Sequence, residues 1–210
     1  MRLSSQSFED GAAMPDVFAF CTPDPDQHAT FSDNRNPELS WFEVPDGTRS
    51  FALICTDGDA PSIPDDVNQP GRTLSKDLPR ADFHHWVMVD ISPECRAIEA
   101  GACSERVTAG GKQASPGPSG SRQGRNDYTG WFEGDADMGG TYNGYDGPGP
   151  PWNDERIHHY CFTLFALDTG ALDVKSDFCA ADVLAALEGH VLGTASLTCT
   201  YTMNPNLRPG

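Results

Sequence analysis

The chain has 210 residues, of which 31 are acidic and 14 basic, so its formal net charge is −17. This length predicts one domain spanning residues 1–210, able to bury about 70% of the surface of the unfolded chain without help from disulfides or metals. The negative charge argues against nucleic acid and anionic membranes as partners. We find no apolar run long enough to span a membrane and no signal peptide, so we expect a cytoplasmic protein.

The seven cysteines are scattered along the chain, and none forms the close pair typical of a zinc site. Three of them lie within apolar, strand-like runs, where a reduced thiol packs as a small hydrophobic side chain. The sequence therefore predicts reduced, structural cysteines and neither a metal site nor a cofactor. Those three are Cys55, Cys161 and Cys199.

Short apolar runs separated by turn residues predict strands in the first part of the chain. Residues 18–21 and 36–41 are predicted to be extended, and residues 50–56 are predicted to form a buried strand. Residues 57–61 contain two acids and a proline, so we expect a loop there. Taken alone, Asp57 and Asp59 are explained by turns in which a carboxylate caps its own backbone.

Residues 62–82 form a predicted surface insertion without periodicity, and a strand over residues 84–91 follows it. Neighbouring histidines on a strand face opposite sides, so only one of the pair at its start can reach a given pocket. A half-exposed surface histidine is the simpler interpretation of either one. One face of this predicted strand is formed by His85, Val87, Val89 and Ile91.

The region 101–140 is irregular and rich in glycine, serine and proline, and it is predicted to be a second flexible insertion. Its glycines do not have the spacing of a phosphate-binding P-loop. Beyond it, the strand predicted over residues 160–167 has apolar residues on both faces, which indicates a central position in a sheet. His158 and Tyr160 precede or begin this strand and point to the same side, beside a stiff loop of glycines and prolines over residues 147–151. This arrangement predicts the rim of a pocket.

One helix is predicted near the C-terminus, with Asp177 as its N-cap and Gly189 as its end. Its apolar positions are Val183, Leu184 and Leu187. A last strand over residues 195–203 and a frayed tail over residues 204–210 follow. Because strands outnumber helices, we predict an all-β fold with minor helices, a sandwich of antiparallel sheets.

Several short motifs in the same order resemble the phosphatidylethanolamine-binding protein family, and in particular its bacterial and archaeal Raf-kinase-inhibitor-like members. The resemblance extends over most of the chain. It is carried by residues 8–11, 36–41 (NPELSW), 57–61 (DGDAP), 85–87 (HWV), 126–128 (NDY), 147–151 (GPGPP), 158–167 and 190–201.

The resemblance implies two antiparallel β-sheets with a few peripheral helices, including one near the C-terminus. It also implies a small anion-binding pocket where the acidic loop and the two histidine strands converge. The positions that match the family's pocket residues are Asp57, Asp59, Pro61, His85, Gly149, Pro150, His158 and Tyr160.

Three positions depart from the family pattern. Gly58 stands where the family usually has proline between the two acids, which loosens that loop. Gly149 stands where many bacterial members have cysteine, which opens space. His159 replaces an arginine, so the carboxylate that the guanidinium fork would bind must find another partner.

We expect a small-molecule binding protein, not an enzyme, whose ligand carries a phosphate or carboxylate, such as phosphoethanolamine, and which has a possible regulatory role. The two pocket imidazoles are predicted to donate hydrogen bonds to the oxyanion, and neighbouring carboxylates to raise their pKa values. One alternative is a metal-dependent hydrolase using the aspartates and histidines. The other is a kinase or protease inhibitor acting through protein contact, and a homodimer stays possible.

Overall fold

A five-stranded antiparallel sheet forms the centre of the computed structural model, which describes residues 1–113 and 116–208. The helices are short, and a 3-10 helix covers Asp16–Phe18. The strands and helices are β1 (Arg2–Ser4), β2 (Cys21–Asp24), β3 (His28–Phe31), β4 (Leu39–Phe42), β5 (Ser50–Pro61), β6 (Arg80–Ile91), β7 (Ala97–Ile98), β8 (Arg122–Gln123), α1 (Tyr128–Trp131), β9 (His158–Leu167), α2 (Ala180–Ala186) and β10 (Val191–Tyr201).

The large sheet has the strand order β10-β9-β5-β6-β8, and a smaller sheet has the order β1-β4-β7. Strands β2 and β3 form a separate antiparallel pair. The fold is thus mostly β with few helices, as the sequence predicts. Strand β9 lies between β10 and β5, which confirms its predicted central position.

Two apolar cores lie on the two faces of the large sheet. The main core contains Tyr160, Phe162 and Leu164 of β9 together with Trp41 from the smaller sheet. The second core lies under α2 and contains Val183 and other apolar residues of that segment. Burial on both faces explains why β5 is apolar throughout residues 51–55 and why β9 is apolar over residues 160–167 except at Thr163.

The predicted loop at residues 57–61 is wrong, because β5 continues to Pro61. Pairing with β9 ends at Asp57 opposite Tyr160, and beyond it β5 pairs only with β6. The register with β6 also shifts between Asp57 and Ala60, as in a β-bulge. This part of the strand is therefore an edge, where a proline and a bulge are both tolerated.

The predicted single face of the second histidine strand is also wrong. Val87 and Val89 pack in the core under α2, whereas Ile91 packs in the main core. Register shifts along β6 are the physical reason, since each extra residue reverses the alternation of faces. One shift leaves His85 unpaired between Trp86 and His84, and Asp90 adopts a φ of 58° near the other.

The helix near the C-terminus exists, but its predicted N-cap does not. Its N-cap is Cys179, whose backbone N–H donates to the carboxylate of Asp182, three residues into the helix. Leu184 is 49% exposed, so it does not belong to the buried face. Gly189 has a φ of 80°, the left-handed conformation that commonly ends a helix.

The chain end is better ordered than predicted. Strand β10 runs over Val191–Tyr201, so it begins earlier than expected and ends before Met203. Asn204 is buried and its side-chain amide donates to the backbone oxygen of Asp154 at 2.8 Å. The prediction of a frayed tail is therefore wrong for this residue, and residues 209 and 210 lie outside the described residues.

The region 101–140 contains β8 and α1, neither of which the sequence predicts. Residues 114 and 115, in the part predicted to be most flexible, lie outside the described residues. Among the described residues, none of the helices is both long and apolar enough to cross a membrane.

Candidate functional site

A cavity of about 230 Å³ opens at one end of the large sheet, where β5 ends and β6 and β9 begin. Seven of the eight predicted site residues line it, and Asp59 does not. The structure thus brings together Asp57, Pro61, His85, Gly149, Pro150, His158 and Tyr160.

His158 forms the centre of a buried network of charged side chains below the cavity. Its Nδ1 lies 2.7 Å from Asp57 Oδ2, and its Nε2 lies 3.2 Å from Asp154 Oδ2. Because both partners are carboxylates, both ring nitrogens donate, so the ring is an imidazolium. Burial lowers the pKa of His158, but the hydrogen bonds and charges of Asp154 and Asp57 outweigh burial and raise it to about 9.

Arg80 completes this network by binding Asp154 with both terminal nitrogens. The Nη1–Oδ2 and Nη2–Oδ1 distances are 2.6 and 3.1 Å, and both side chains are buried. Burial raises the pKa of Asp154, but the hydrogen bonds from His158 and Arg80 hold it below its usual value. The two buried acids, Asp57 and Asp154, are thus balanced by the two cations His158 and Arg80. This network of side chains therefore presents no net negative charge to the cavity.

His85 has a different environment although it also lines the cavity. Its Nδ1 lies 2.8 Å from the backbone oxygen of Asp146 and 3.1 Å from that of Gly147. Carbonyl oxygens only accept, so Nδ1 carries the proton and Nε2 of the neutral ring is an acceptor. Burial lowers the pKa of His85, although the charge of Asp57 and the carbonyl hydrogen bonds oppose this shift. His85 is therefore neutral at pH 7.

Tyr160 presents a hydroxyl group with no partner among the described residues. Its ring is 1% exposed, and the hydroxyl is buried without a hydrogen bond. Burial raises the pKa of Tyr160 well above its usual value, so the group is a neutral donor. An unpaired buried donor is costly, and one that lines a cavity is suited to a ligand.

Gly149 does not leave the open space that its comparison with cysteine predicts. The hydroxyl of Tyr128 occupies that space, because a Cβ atom at Gly149 would lie 2.7 Å from it. This hydroxyl donates to the backbone oxygen of Gly147 at 2.9 Å. The glycine therefore allows the Tyr128 ring to form part of the cavity wall.

Six of the thirteen other residues that line the cavity are aromatic. Phe20 stacks on Tyr128 with ring centroids 4.3 Å apart, and Phe31 meets Phe20 edge-on at 5.6 Å. These rings come from one end of the β2–β3 pair, where Cys21 lies opposite Phe31, from β6 and from the α1 segment. We call them the aromatic wall: Phe20, Phe31, Phe83, Tyr128, Trp131 and Phe132.

Asp59 lies outside the cavity and supports the outer surface of the site. Its carboxylate accepts from Arg156 Nη1 at 2.9 Å and from the backbone N–H of His159 at 3.0 Å. The ring of His159 also lies 2.8 Å from it. Partial burial raises the pKa of Asp59, but these hydrogen bonds hold it below its usual value. The carboxylate thus finds its guanidinium in Arg156, three residues before the position where the family has arginine.

Asp57 and Asp59 also form the backbone-capping turn that the sequence alone suggests. Asp57 Oδ1 accepts the backbone N–H of Asp59 at 2.7 Å, as in an Asx turn. Asp57 combines this turn with its bond to His158 and is only 3% exposed. The structural and the pocket interpretations of Asp57 therefore describe the same side chain.

Sequence reasoning missed several residues of the site. Arg80 lies in the predicted surface insertion over residues 62–82, and Asp154 lies between the glycine–proline loop and the strand predicted over residues 160–167. Their pairing joins residues 74 positions apart. The Asp154–His158 spacing is four residues, which is visible in the sequence but points to no particular structure outside a helix. Rings such as Phe20 and Tyr128 are ordinary core residues by composition, and only the fold brings them to the cavity.

Two further observations limit the chemistry of the molecule. Within residues 1–113 and 116–208, no group of three or more histidine, cysteine or acidic side chains is arranged to hold a metal ion. A larger groove of about 900 Å³ crosses the surface beside Trp152, and its cations Arg72 and Lys76 are exposed. We therefore regard the smaller cavity, with its buried polar groups, as the candidate site.

Comparison with known proteins gives consistent results. The family model described as phosphatidylethanolamine-binding protein matches residues 4–202. A UPF0098 protein of Methanothermobacter thermautotrophicus is 34% identical over 96% of this chain and 98% of its own length. The UPF0098 protein YbhB of Escherichia coli is 30% identical over 96% of this chain and all of its own length.

A solved structure shows the same fold. The crystal structure of E. coli YbcL, described as a new member of the mammalian PEBP family, superposes with a TM-score of 0.69 at 26% identity. The match covers 96% of this chain and 97% of that one. With a family model matched over nearly its whole length and relatives of similar length, this chain belongs to the phosphatidylethanolamine-binding protein family.

Proposed function

We propose that the protein binds a small oxyanion-bearing ligand, such as phosphate or phosphoethanolamine, in the cavity beside Tyr160 and His85, without chemical conversion of the ligand. The observation that carries this proposal is the hydroxyl of Tyr160, a residue that lines the cavity. This hydroxyl is buried and has no hydrogen-bond partner among the described residues. A ligand oxygen would give this donor the hydrogen bond that the protein does not supply.

In this proposal His158 has a different role from the one that the sequence suggests. Both of its ring nitrogens already bind carboxylates, so it has no proton left to donate to an anion. It instead neutralises Asp57 and Asp154 and fixes the carboxylate of Asp57 at the cavity. An anion can approach because the positive charges of His158 and Arg80 balance these two acids.

The second hydrogen bond joins the ligand to Nε2 of His85. The proton in this bond has to come with the ligand or from solvent. His85 is neutral, and its Nε2 can only accept until it binds a proton. A monoprotonated phosphate donates to this nitrogen directly, and a fully ionised anion requires protonation of His85. Binding of a fully ionised anion is therefore coupled to the uptake of one proton, whereas a monoprotonated phosphate brings that proton with it.

The first test removes the hydroxyl group that carries the proposal. In Tyr160→Phe we expect phosphate and phosphoethanolamine affinity to fall about 10-fold or more, because a hydrogen bond to a charged group contributes roughly 1.5–3 kcal/mol. We expect the free energy of unfolding without ligand to stay equal or to rise, because the variant no longer buries an unpaired polar group.

The measurement is the thermal stabilisation by each ligand at fixed high ionic strength, with and without EDTA. The matched control is Tyr142→Phe, which removes a buried hydroxyl that bonds to Met138 outside the cavity. Unchanged phosphate affinity in Tyr160→Phe would contradict the proposal. Stabilisation that requires a divalent metal and disappears with EDTA would favour the hydrolase alternative.

The second test uses the coupled proton. The pKa of His85 is lowered from its ordinary value, so the ring is neutral at pH 8 and gains its proton more readily as the pH falls. We expect sulfate, which does not titrate in this range, to bind more tightly as the pH falls from 8 to 6, by at most about tenfold per pH unit for one linked proton. Phosphoethanolamine should follow the same direction, since the second pKa of a phosphate monoester, near 6, adds to the effect.

Isothermal titration in buffers of different ionisation enthalpy would measure the proton uptake. His85→Gln should retain weaker binding and lose the pH dependence for sulfate, whereas the neighbouring His84→Gln, whose ring bonds to Thr56, should keep it. Affinity for sulfate that is flat over this pH range, or that rises with pH, would rule out His85 as the proton acceptor.

A further inference from the structure

The cavity contains much more apolar surface than an oxyanion requires. Its polar side chains, Asp57, His85, His158 and Tyr160, belong to neighbouring strand ends, whereas the rest of its lining is dominated by rings, prolines and aliphatic side chains. Its volume of about 230 Å³ is roughly eight times the share of one water molecule in the liquid, so a phosphate ion alone would leave most of the aromatic wall uncovered. The wall implies a second, apolar part of the ligand.

Two rings of the aromatic wall extend to the mouth of the cavity. Phe31, at the end of β3, is 56% exposed, and Trp131, in α1, is 45% exposed, although both also line the cavity. They come from separate elements and are partly uncovered in the protein alone. A ligand whose polar end reaches Tyr160 and whose apolar end extends toward the mouth would cover both rings.

The arrangement of the wall favours a flat group over a flexible chain. Phe20, Tyr128 and Phe132 form a continuous series of near-parallel rings, with Phe20–Tyr128 and Tyr128–Phe132 centroids 4.3 and 5.7 Å apart. The edge-on contact of Phe31 with Phe20 at 5.6 Å continues this series toward the mouth. Aromatic rings at such distances prefer offset-stacked or edge-to-face partners, which another ring provides and an alkyl chain does not.

We propose that the ligand of this cavity is an aryl acid, in which an aromatic ring is joined to a phosphate or carboxylate head. This inference rests on the proposed function, because the acidic head occupies the end of the cavity at Tyr160 and His85. The aromatic ring packs against the aromatic wall and covers Phe31 and Trp131 at the mouth.

The experiment compares matched ligands by calorimetric titration at fixed pH and ionic strength. Phenyl phosphate is compared with ethyl phosphate and with cyclohexyl phosphate, and phenylacetate is compared with acetate. We expect the aryl member of at least one head-group series to bind about tenfold more tightly than its small alkyl counterpart. We also expect phenyl phosphate to bind more tightly than cyclohexyl phosphate, which has similar size but no ring electrons.

Two substitutions test the place of the ring. Phe31→Ala and Trp131→Ala should each reduce the ratio of aryl to alkyl affinity at least threefold, which is a larger effect than the one expected on the affinity for inorganic phosphate. The control is Phe42→Ala, which removes an equally exposed ring from β4, away from the cavity. It should change neither quantity. Because the two tested rings are partly exposed, both variants are expected to fold, and unfolding curves measure this directly.

The outcomes separate this inference from the proposed function. Equal affinity for aryl, cyclohexyl and ethyl compounds, with inorganic phosphate still bound, would overturn the aryl inference and leave the oxyanion site intact. An aryl preference that persists in both mouth variants would overturn the assigned position of the ring. No binding of any acid, together with unchanged behaviour of Tyr160→Phe, would overturn both.

Discussion

At the scale of single residues, the two pocket histidines have opposite chemistry because their hydrogen-bond partners differ. His158 donates to two carboxylates and is charged, whereas His85 donates to two backbone carbonyls and is neutral. Both rings are almost fully buried, so burial alone does not distinguish them. The residue type predicts a titratable group, and the partners decide its charge.

His158 gives a testable contribution to stability. Replacing His158 by Leu leaves Asp57 without a cation and Asp154 with Arg80 alone, so we expect a loss of about 3–5 kcal/mol in the free energy of unfolding. His190→Leu is the control, because its ion pair with Asp168 is about half exposed on both sides and should contribute less than about 1 kcal/mol. Urea unfolding of both variants measures the difference.

The contacts of His158 with Asp57 and Asp154 predict that the free energy of unfolding depends on pH, with a definite sign. The pKa of His158 is raised to about 9 in the folded protein, above the roughly 6.5 of an unfolded chain. Its stabilisation is therefore fully present below pH 6.5 and is lost as the pH rises through 9. The stability gap between the protein and His158→Leu should narrow between pH 6.5 and pH 9.5. A gap that stays constant over this range would show that His158 is not charged.

At the scale of elements, loops hold the cavity in shape as much as strands do. The backbone oxygen of Asp146 fixes the tautomer of His85, and the side chain of Asp146 is itself held by three segments. Lys112 binds it at 2.6 Å, and the amides of Asn34 and Asn126 bind it at 2.7 and 2.8 Å. The insertion that contains Lys112 is thereby tied to the wall of the cavity.

Lys112→Met tests this tie. The substitution leaves a fully buried carboxylate with amide donors only, so we expect a loss of about 3 kcal/mol in the free energy of unfolding and faster tryptic cleavage after Arg106. The matched control is Lys175→Met, an exposed lysine for which we expect a change within about 0.5 kcal/mol. Equal unfolding curves for the two variants would contradict a structural role for Lys112.

At the scale of the whole molecule, apolar alternation in the sequence predicts the mostly β architecture. The resemblance of its short motifs to a known family selects eight residues, seven of which line the candidate cavity. It fails where register decides the outcome, since the shift near Asp90 places Val89 and Ile91 on opposite faces of the sheet. It also fails for Arg80 and Asp154, whose partners lie far away in the chain. The sequence also does not predict that the Tyr128 hydroxyl fills the space at Gly149, because only the fold brings this hydroxyl there.

The pairing of β5 with β9 affects how the protein folds. Asp57 and His158 are separated by 101 residues, and the central strands that carry them are joined only after this long segment has closed. Closure of such a loop costs chain entropy before any contact compensates for it, so sheets of this kind fold slowly. During synthesis, residues 1–157 are made before β9, and until then the apolar side of β5 that faces β9 is uncovered. The candidate site therefore cannot assemble until residues 158–167 are made, and the nascent chain is exposed to aggregation up to that point.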